Sequence, residues 1–346
     1  MKRVCIGLSM AMALTGCEHG ARDAAVGLRV RGETMGTTYL VRLGQLTESA
    51  TVSEVRSDAD AVFAAVDAGM STYRPDSEIS RFNDSTRTDC VAVSEWTYAV
   101  VEEALRVARE TDGAFDITVA PLVDLWGFGA RTRRPSVPSE SALRDTMHVV
   151  GTEFVEICTG RTAIRKTRPE VRIDLSGIAK GFAVDALARR LVERGIESFL
   201  VEIGGEVRVG GRNAAGKRWR VAVQTPSLES GRAEVVLALP DSAVATSGEY
   251  RSFFVDDGVR YSHVLDPRTG RPIVHELVSV TVADRSAMRA DALATALLVL
   301  GPEDGLRWAE DRGIAALFVR RNADSFVDAA TPAFEKLIVG EGGERL

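Results

Sequence analysis

The residues with the clearest chemistry lie in three separated places. Asp174-Leu-Ser-Gly-Ile-Ala-Lys-Gly-Phe-Ala-Val-Asp185 links a β-compatible run, Val171–Leu175, through a Ser-Gly turn to a helix whose apolar residues Ile178, Phe182, Leu187 and Leu191 recur at helical spacing. The unpaired N–H groups and positive dipole end of such a helix, with Lys180 in its first turn, suit a phosphate; an ordinary strand-to-helix corner accounts for the same residues. Asp291 and Thr295 stand four apart in a second helical pattern, which puts a carboxylate and a hydroxyl one turn apart on one face. These hard oxygens suit Mg2+, which takes few protein ligands and completes its shell with phosphate and water. The structural alternative is Thr295 bonded back to a helix carbonyl beside a solvated Asp291. Third, Tyr261–Ile273 brings His263, Asp266 and Arg268 close together around a turn-forming Asp-Pro-Arg-Thr-Gly. An imidazole, with an ordinary pKa of about 6.5, can accept a proton near neutrality. Asp266 competes for the same task.

The chain that must position these groups has 346 residues, 45% hydrophobic and 27% charged, the balance of a globular protein with a sizeable core. A net charge of −6 leaves no footprint for nucleic acid. The start reads differently: Lys2 and Arg3 precede an apolar run, Val4–Leu14, too short to span a bilayer and typical of a signal peptide. It ends Leu14-Thr-Gly-Cys17, similar to the lipobox of bacterial lipoproteins, in which the cysteine is lipidated and becomes the mature N-terminus. Glu18 follows, rather than the Asp associated with inner-membrane retention, so a lipid-anchored periplasmic protein is expected, the outer membrane slightly favoured. Cys90 and Cys158 remain as a pair for an oxidising compartment, or as two small buried hydrophobes. His19, His148, His263 and His275 show no zinc spacing.

The intervening elements follow from pattern. Leu28–Arg31 and Tyr39–Leu43 alternate around Met35-Gly36 and predict a hairpin. Val55, Ala59, Val62, Phe63 and Val66 predict a helix that Gly69 stops, and Ser94 caps a second helix running to Glu110. Between them, Met70–Asn83 is polar and turn-rich yet carries Tyr73, Ile79 and Phe82, a packed functional loop. Residues 113–129 gather Phe115, Trp126 and Phe128, read as core, near Asp116 and Asp124; residues 130–140 form an exposed excursion. After Gly195 the chain is strand-rich, with Gly204-Gly205 and Ser247-Gly248 at turns, until a helix from Ala287 to Leu300 closed by Gly301-Pro302.

As an ordered set, several segments resemble the ApbE family of FAD:protein FMN transferases. They are Thr34-Met-Gly-Thr-Thr-Tyr39, Met70–Asn83, Gly113-Ala-Phe-Asp-Ile-Thr-Val119, Asp174–Gly181, Ala245-Thr-Ser-Gly248, Ser262–Gly270 and Asp291-Ala-Leu-Ala-Thr295. The likeness spans roughly residues 30–340. It implies an α+β, T-fold-related single domain with mixed or antiparallel sheets and packed helices: residues 1–16 a leader, 17–26 a lipidated tether, 27–340 the catalytic domain and 341–346 a tail. It implies FAD as substrate and Mg2+ as cofactor, with FMN moved through a phosphoester bond onto a Thr or Ser hydroxyl of a target protein and AMP released. By matching position, Met35, Tyr73, Ala114, Phe115, Asp116, Asp174, Lys180 and Leu265 would contact FAD. The Gly177 carbonyl, Asp291 and Thr295 would hold Mg2+; Ala294 stands where some relatives carry a further acid. Lys180 would stabilise charge in the transfer, with His263, or else Asp266, taking the hydroxyl proton or positioning it. The expected acceptors are subunits of Nqr/Rnf-type redox complexes. Two alternatives share the site: an FAD pyrophosphatase giving FMN and AMP, and a periplasmic flavin-binding lipoprotein without turnover.

Overall fold

The computed structural model of the protein describes residues 28–44, 51–130, 134–224, 233–249, 252–322 and 325–340. The expected leader, tether and tail, Cys17 and part of the 130–140 excursion lie outside the described residues. The frame is an eight-stranded sheet in the spatial order Arg29–Thr34, Thr37–Leu43, Phe199–Ile203, Glu206–Gly210, Ala243–Gly248, Leu277–Asp284, Ala315–Asn322, Ser325–Ala330. Each neighbouring pair is antiparallel.

Period-two alternation divides the sheet's side chains between two layers. In Ala315–Asn322, Ala316 and Phe318 face the main core, whereas Leu317 and Val319 face a second cluster with Trp219, Leu237 and Phe334. The main core lies under the helices Val52–Met70, Glu95–Glu110, Ala179–Glu193 and Ala287–Leu300, and the second under a ribbon formed by Trp219–Gln224 and Ala233–Leu239. Leu277–Asp284, covered on both faces, accordingly reads as a nearly unbroken buried run. The fold is α+β with antiparallel sheets, as the resemblance implies.

The hairpin, the Ser94-capped helix and the Ala287–Leu300 helix match the sequence patterns. Four details differ. Val171–Leu175 forms no strand. Gly69 lies inside its helix, where a Cβ would stand 2.7 Å from Thr97 Oγ1; it permits close helix packing instead of stopping the helix. The loop after it contains a short helix, Glu78–Asp84, capped by Ser77. Ser247 lies in a strand, not at a turn. Cys90 and Cys158 form a disulfide, which resolves their open assignment.

Candidate active site

The 174–181 turn is held from below by side chains standing in for a strand partner. Asn83 donates Nδ2–H to the Ile173 carbonyl at 2.8 Å and accepts the Ile173 N–H at 2.8 Å, a two-point grip on one residue's backbone. The fully buried Lys166 donates to the Val171 carbonyl at 3.0 Å, and burial depresses its pKa. The Asp174 N–H donates to the Ile117 carbonyl, and its carboxylate accepts the Ser176 N–H at 2.7 Å, so Asp174 shapes the turn it precedes.

From that turn rises the helix Ala179–Glu193, whose first residue has no side-chain cap of its own. The cap comes from the neighbouring helix: Asp291 Oδ2 accepts the Gly181 N–H at 3.0 Å. Asp291 is 2% exposed, so the solvated alternative does not hold. Thr295 Oγ1 lies 2.9 Å from Ser247 Oγ, and a Cβ on Gly177 would stand 3.4 Å from the same Thr295 atom. Gly177 thus neighbours Thr295, and Asp291 sits one helical turn before Thr295; a backbone carbonyl, a carboxylate and a hydroxyl are the oxygens these three residues carry. This all-oxygen donor set fits a hard cation such as Mg2+. Among the described residues there is no group of three His, Cys, Asp or Glu able to hold a metal.

Lys180 projects from the helix start into a cavity of about 750 Å3 lined by Glu33, Met35, Phe63, Tyr73, Ser176 and others. Met35 sits at the lip in a left-handed conformation, φ 49, followed by Gly36 at φ 72, the two-residue turn of the first hairpin. A methionine accepts this conformation at some cost, and its place at a cavity edge is where such strain is usually retained. Tyr73, 71% exposed, also borders a smaller cavity of about 190 Å3 with Asn83, Asp124, Arg172 and Asp174. There Arg172 and Asp124 form an ion pair at 2.5 Å.

Other expected contacts are placed differently. Ala114, Phe115 and Leu265 are buried. Phe115 lies against Gly177, 3.2 Å from the position of a Cβ there, and Leu265 packs with Leu122 and Trp126. Asp116 is 8% exposed and caps a 3-10 turn, accepting both the N–H and hydroxyl of Thr118; burial, against these bonds, pushes its pKa up to about 6. Asp266 is gripped by Arg268, with Nε–Oδ1 and Nη2–Oδ2 both at 2.9 Å. His263 Nδ1 lies 2.9 Å from the Ser252 carbonyl and its ring meets Phe128 edge-on at 6.3 Å. A carbonyl only accepts, so Nδ1 carries the proton and Nε2 is the basic nitrogen of the neutral ring.

Pattern reasoning passed over Glu206, which is 1% exposed with Oε1 2.6 Å from Lys180 Nζ. The available signal was a carboxylate directly after Gly204-Gly205, opening the strand Glu206–Gly210. The contacts of Asn83 with Ile173 and of Ser247 with Thr295 join segments distant in sequence, which local pattern does not show; Lys166, bonded to Val171 five residues on, was passed over altogether.

A model of the ApbE family matches residues 35–318. The chain is 43% identical to the FAD:protein FMN transferase of Vibrio cholerae over 338 residues, 98% of this chain and 99% of that protein. It is 35% identical to that of Escherichia coli K12, over 96% of this chain and 97% of the relative. Among solved structures, the flavin transferase ApbE of Vibrio cholerae superposes with a TM-score of 0.83, covering 90% of this chain and 98% of that one. Apo flavinyl transferase ApbE of Pseudomonas stutzeri gives 0.84 at 38% identity, covering 91% and 98%. Identity at this level over nearly whole chains, with the same fold, means that the protein belongs to the ApbE family.

Proposed function

We propose that this protein is an FAD:protein FMN transferase that moves FMN from FAD onto a Thr or Ser hydroxyl of a target protein and releases AMP. One observation carries the reading: a single turn, residues 174–181, presents Ser176 and Lys180 to the 750 Å3 cavity while its Gly177 and Gly181 touch Thr295 and Asp291. A flavin dinucleotide in that cavity, beside Met35 and Tyr73, would bring its pyrophosphate to the lysine and the oxygen cluster. A cavity of this size is in the range of small-molecule sites.

The hydroxyl oxygen attacks the FMN-side phosphorus; the bridging P–O bond breaks, AMP departs with the electron pair, and the hydroxyl proton passes to a base. Lys180 opposes charge on the phosphate oxygens as it builds. Mg2+ held by the Gly177 carbonyl, Asp291 and Thr295 would supply further charge neutralisation. His263 is the better base, because Arg268 occupies both oxygens of Asp266 whereas His263 is oriented through Nδ1 with Nε2 as its accepting nitrogen. Water in place of the hydroxyl would give FMN and AMP instead.

The Leu14-Thr-Gly-Cys17 sequence supports lipidation of Cys17 and a periplasmic, membrane-anchored location; the family likeness points to redox-complex subunits of Nqr/Rnf type as acceptors. Among the described residues no helix is long and apolar enough to cross a membrane. Chelation tests the metal assignment: transfer from FAD should stop in EDTA and return with excess Mg2+, and transfer that persists in chelator would contradict it.

A further inference from the structure

Lys180 is placed between two acids of unequal reach. Its Nζ is 2.6 Å from Glu206 Oε1 and 3.9 Å from Asp291 Oδ1. Glu206 is 1% exposed and fixed by its backbone in the hairpin Phe199–Ile203/Glu206–Gly210, where it pairs with Ile203 across the Gly204-Gly205 turn. Lys180 is 23% exposed and borders the large cavity; Glu206 does not line it. A buried carboxylate in a rigid sheet thus holds the inner side of an ammonium whose outer side meets the cavity. A flexible lysine otherwise has four rotatable bonds and a second carboxylate within reach.

We propose that Glu206 is a positioning residue for Lys180, holding the ammonium at the cavity and off Asp291, so that the lysine serves the phosphates while the aspartate oxygen stays available to a cation. The inference rests on the reading of the cavity as the FAD site. Without Glu206 the ammonium would move to the remaining buried acid, Asp291, and compete there with Mg2+. Two functions would then weaken from one change: FAD binding through a displaced lysine, and Mg2+ binding through a blocked aspartate. The 2.6 Å contact makes Glu206 Oε1 a direct partner of the ammonium.

The test is a double-mutant cycle with Glu206→Gln, Lys180→Met and the double variant, titrating the full folded chain with Mg2+ alone and separately with FAD, thermal unfolding being followed for each. Glu206→Gln should weaken Mg2+ binding roughly tenfold where Lys180 is present, and by about twofold or less in the Lys180→Met background. A general loss of negative charge would weaken Mg2+ equally in both backgrounds, and that result would overturn the proposal. Glu206→Asp, which keeps the charge on a shorter arm, should recover part of the FAD affinity that Glu206→Gln loses; a purely packing role would give no such recovery. Wild-type FAD binding in the same titrations separates the two levels. If the wild type fails to bind FAD, the functional reading falls; if it binds and Glu206→Gln matches it in both titrations, only the role of Glu206 falls.

Discussion

Gly181 and Asp291 meet where two helices cross: the glycine N–H donates to Asp291 Oδ2 at 3.0 Å, and a Cβ on Gly181 would stand 2.2 Å from the Ala287 carbonyl oxygen and 2.8 Å from Asp291 Cβ. The cap on one helix and the position of the proposed metal ligand thus depend on a residue without a side chain. Gly181→Ala must push the helices apart, at a cost of about 1–3 kcal/mol in unfolding free energy. It should also weaken Mg2+ binding. Denaturant unfolding and calorimetric titration check both, and a variant equal to wild type in each would count against the crossing as described.

Asp291 serves twice, so its substitutions should separate. Asp291→Asn keeps an oxygen for the Gly181 N–H and should fold nearly as well as wild type while losing Mg2+-dependent transfer. Asp291→Ala also loses the cap, at about 1 kcal/mol further. Rates of FMN transfer against Mg2+ concentration, with unfolding curves for both variants, give the comparison. Transfer by Asp291→Asn at the wild-type rate would remove the aspartate from the metal set.

The grip of Asn83 on Ile173 replaces a strand neighbour, so Asn83→Ala should leave that backbone poorly satisfied. The expected cost is about 1–3 kcal/mol, with faster hydrogen exchange at the Ile173 amide. Exchange unchanged at Ile173 would show that the bond is not what holds this segment.

Asp116 gives a pH signature. Burial raises its folded pKa from 3.8 to about 6, so as pH falls the native state takes up the proton before the unfolded chain does. The stability this confers is full below the unfolded pKa of 3.8 and is lost as pH rises through about 6. At neutral pH the native state then carries a buried carboxylate at a cost on the order of 2–3 kcal/mol. Asp116→Asn lacks that titration, so its stability relative to wild type should improve between about pH 4 and pH 7 by a similar amount. Urea unfolding at the two pH values measures it, and a constant difference would contradict the assignment.

Local pattern made the Ala287–Leu300 helix legible, with Gly301 ending it and Asp291 and Thr295 one turn apart; its Ser286 cap shows only in the structure. It misled at Val171–Leu175, which forms no strand and is held instead by Asn83 and Lys166, partners 90 and 5 residues away in sequence. Gly69 resembled a stop because a glycine's sequence context does not reveal that Thr97 of another helix packs on it. Asp291 was expected on a polar face, yet its helix is covered nearly all round, and its burial follows from the crossing at Gly181. The expected FAD contacts divided similarly. Met35, Tyr73 and Lys180 line the large cavity, whereas the side chains of Ala114, Asp116 and Leu265 are directed into packing. At Glu206 the sequence shows a charge opening a strand but not its partner, because the ion pair with Lys180 forms only when the sheet and the 174–181 turn come together.

Mass distinguishes FMN transfer from FAD hydrolysis. The chain lacking residues 1–16 is incubated with FAD, Mg2+ and a purified Nqr/Rnf-type subunit as acceptor, and the acceptor's mass, free FMN and AMP are followed together. Transfer predicts an acceptor heavier by one FMN moiety on a Thr or Ser, one AMP for each, and little free FMN. Free FMN appearing in step with AMP while the acceptor keeps its mass would contradict transfer and assign the site to hydrolysis.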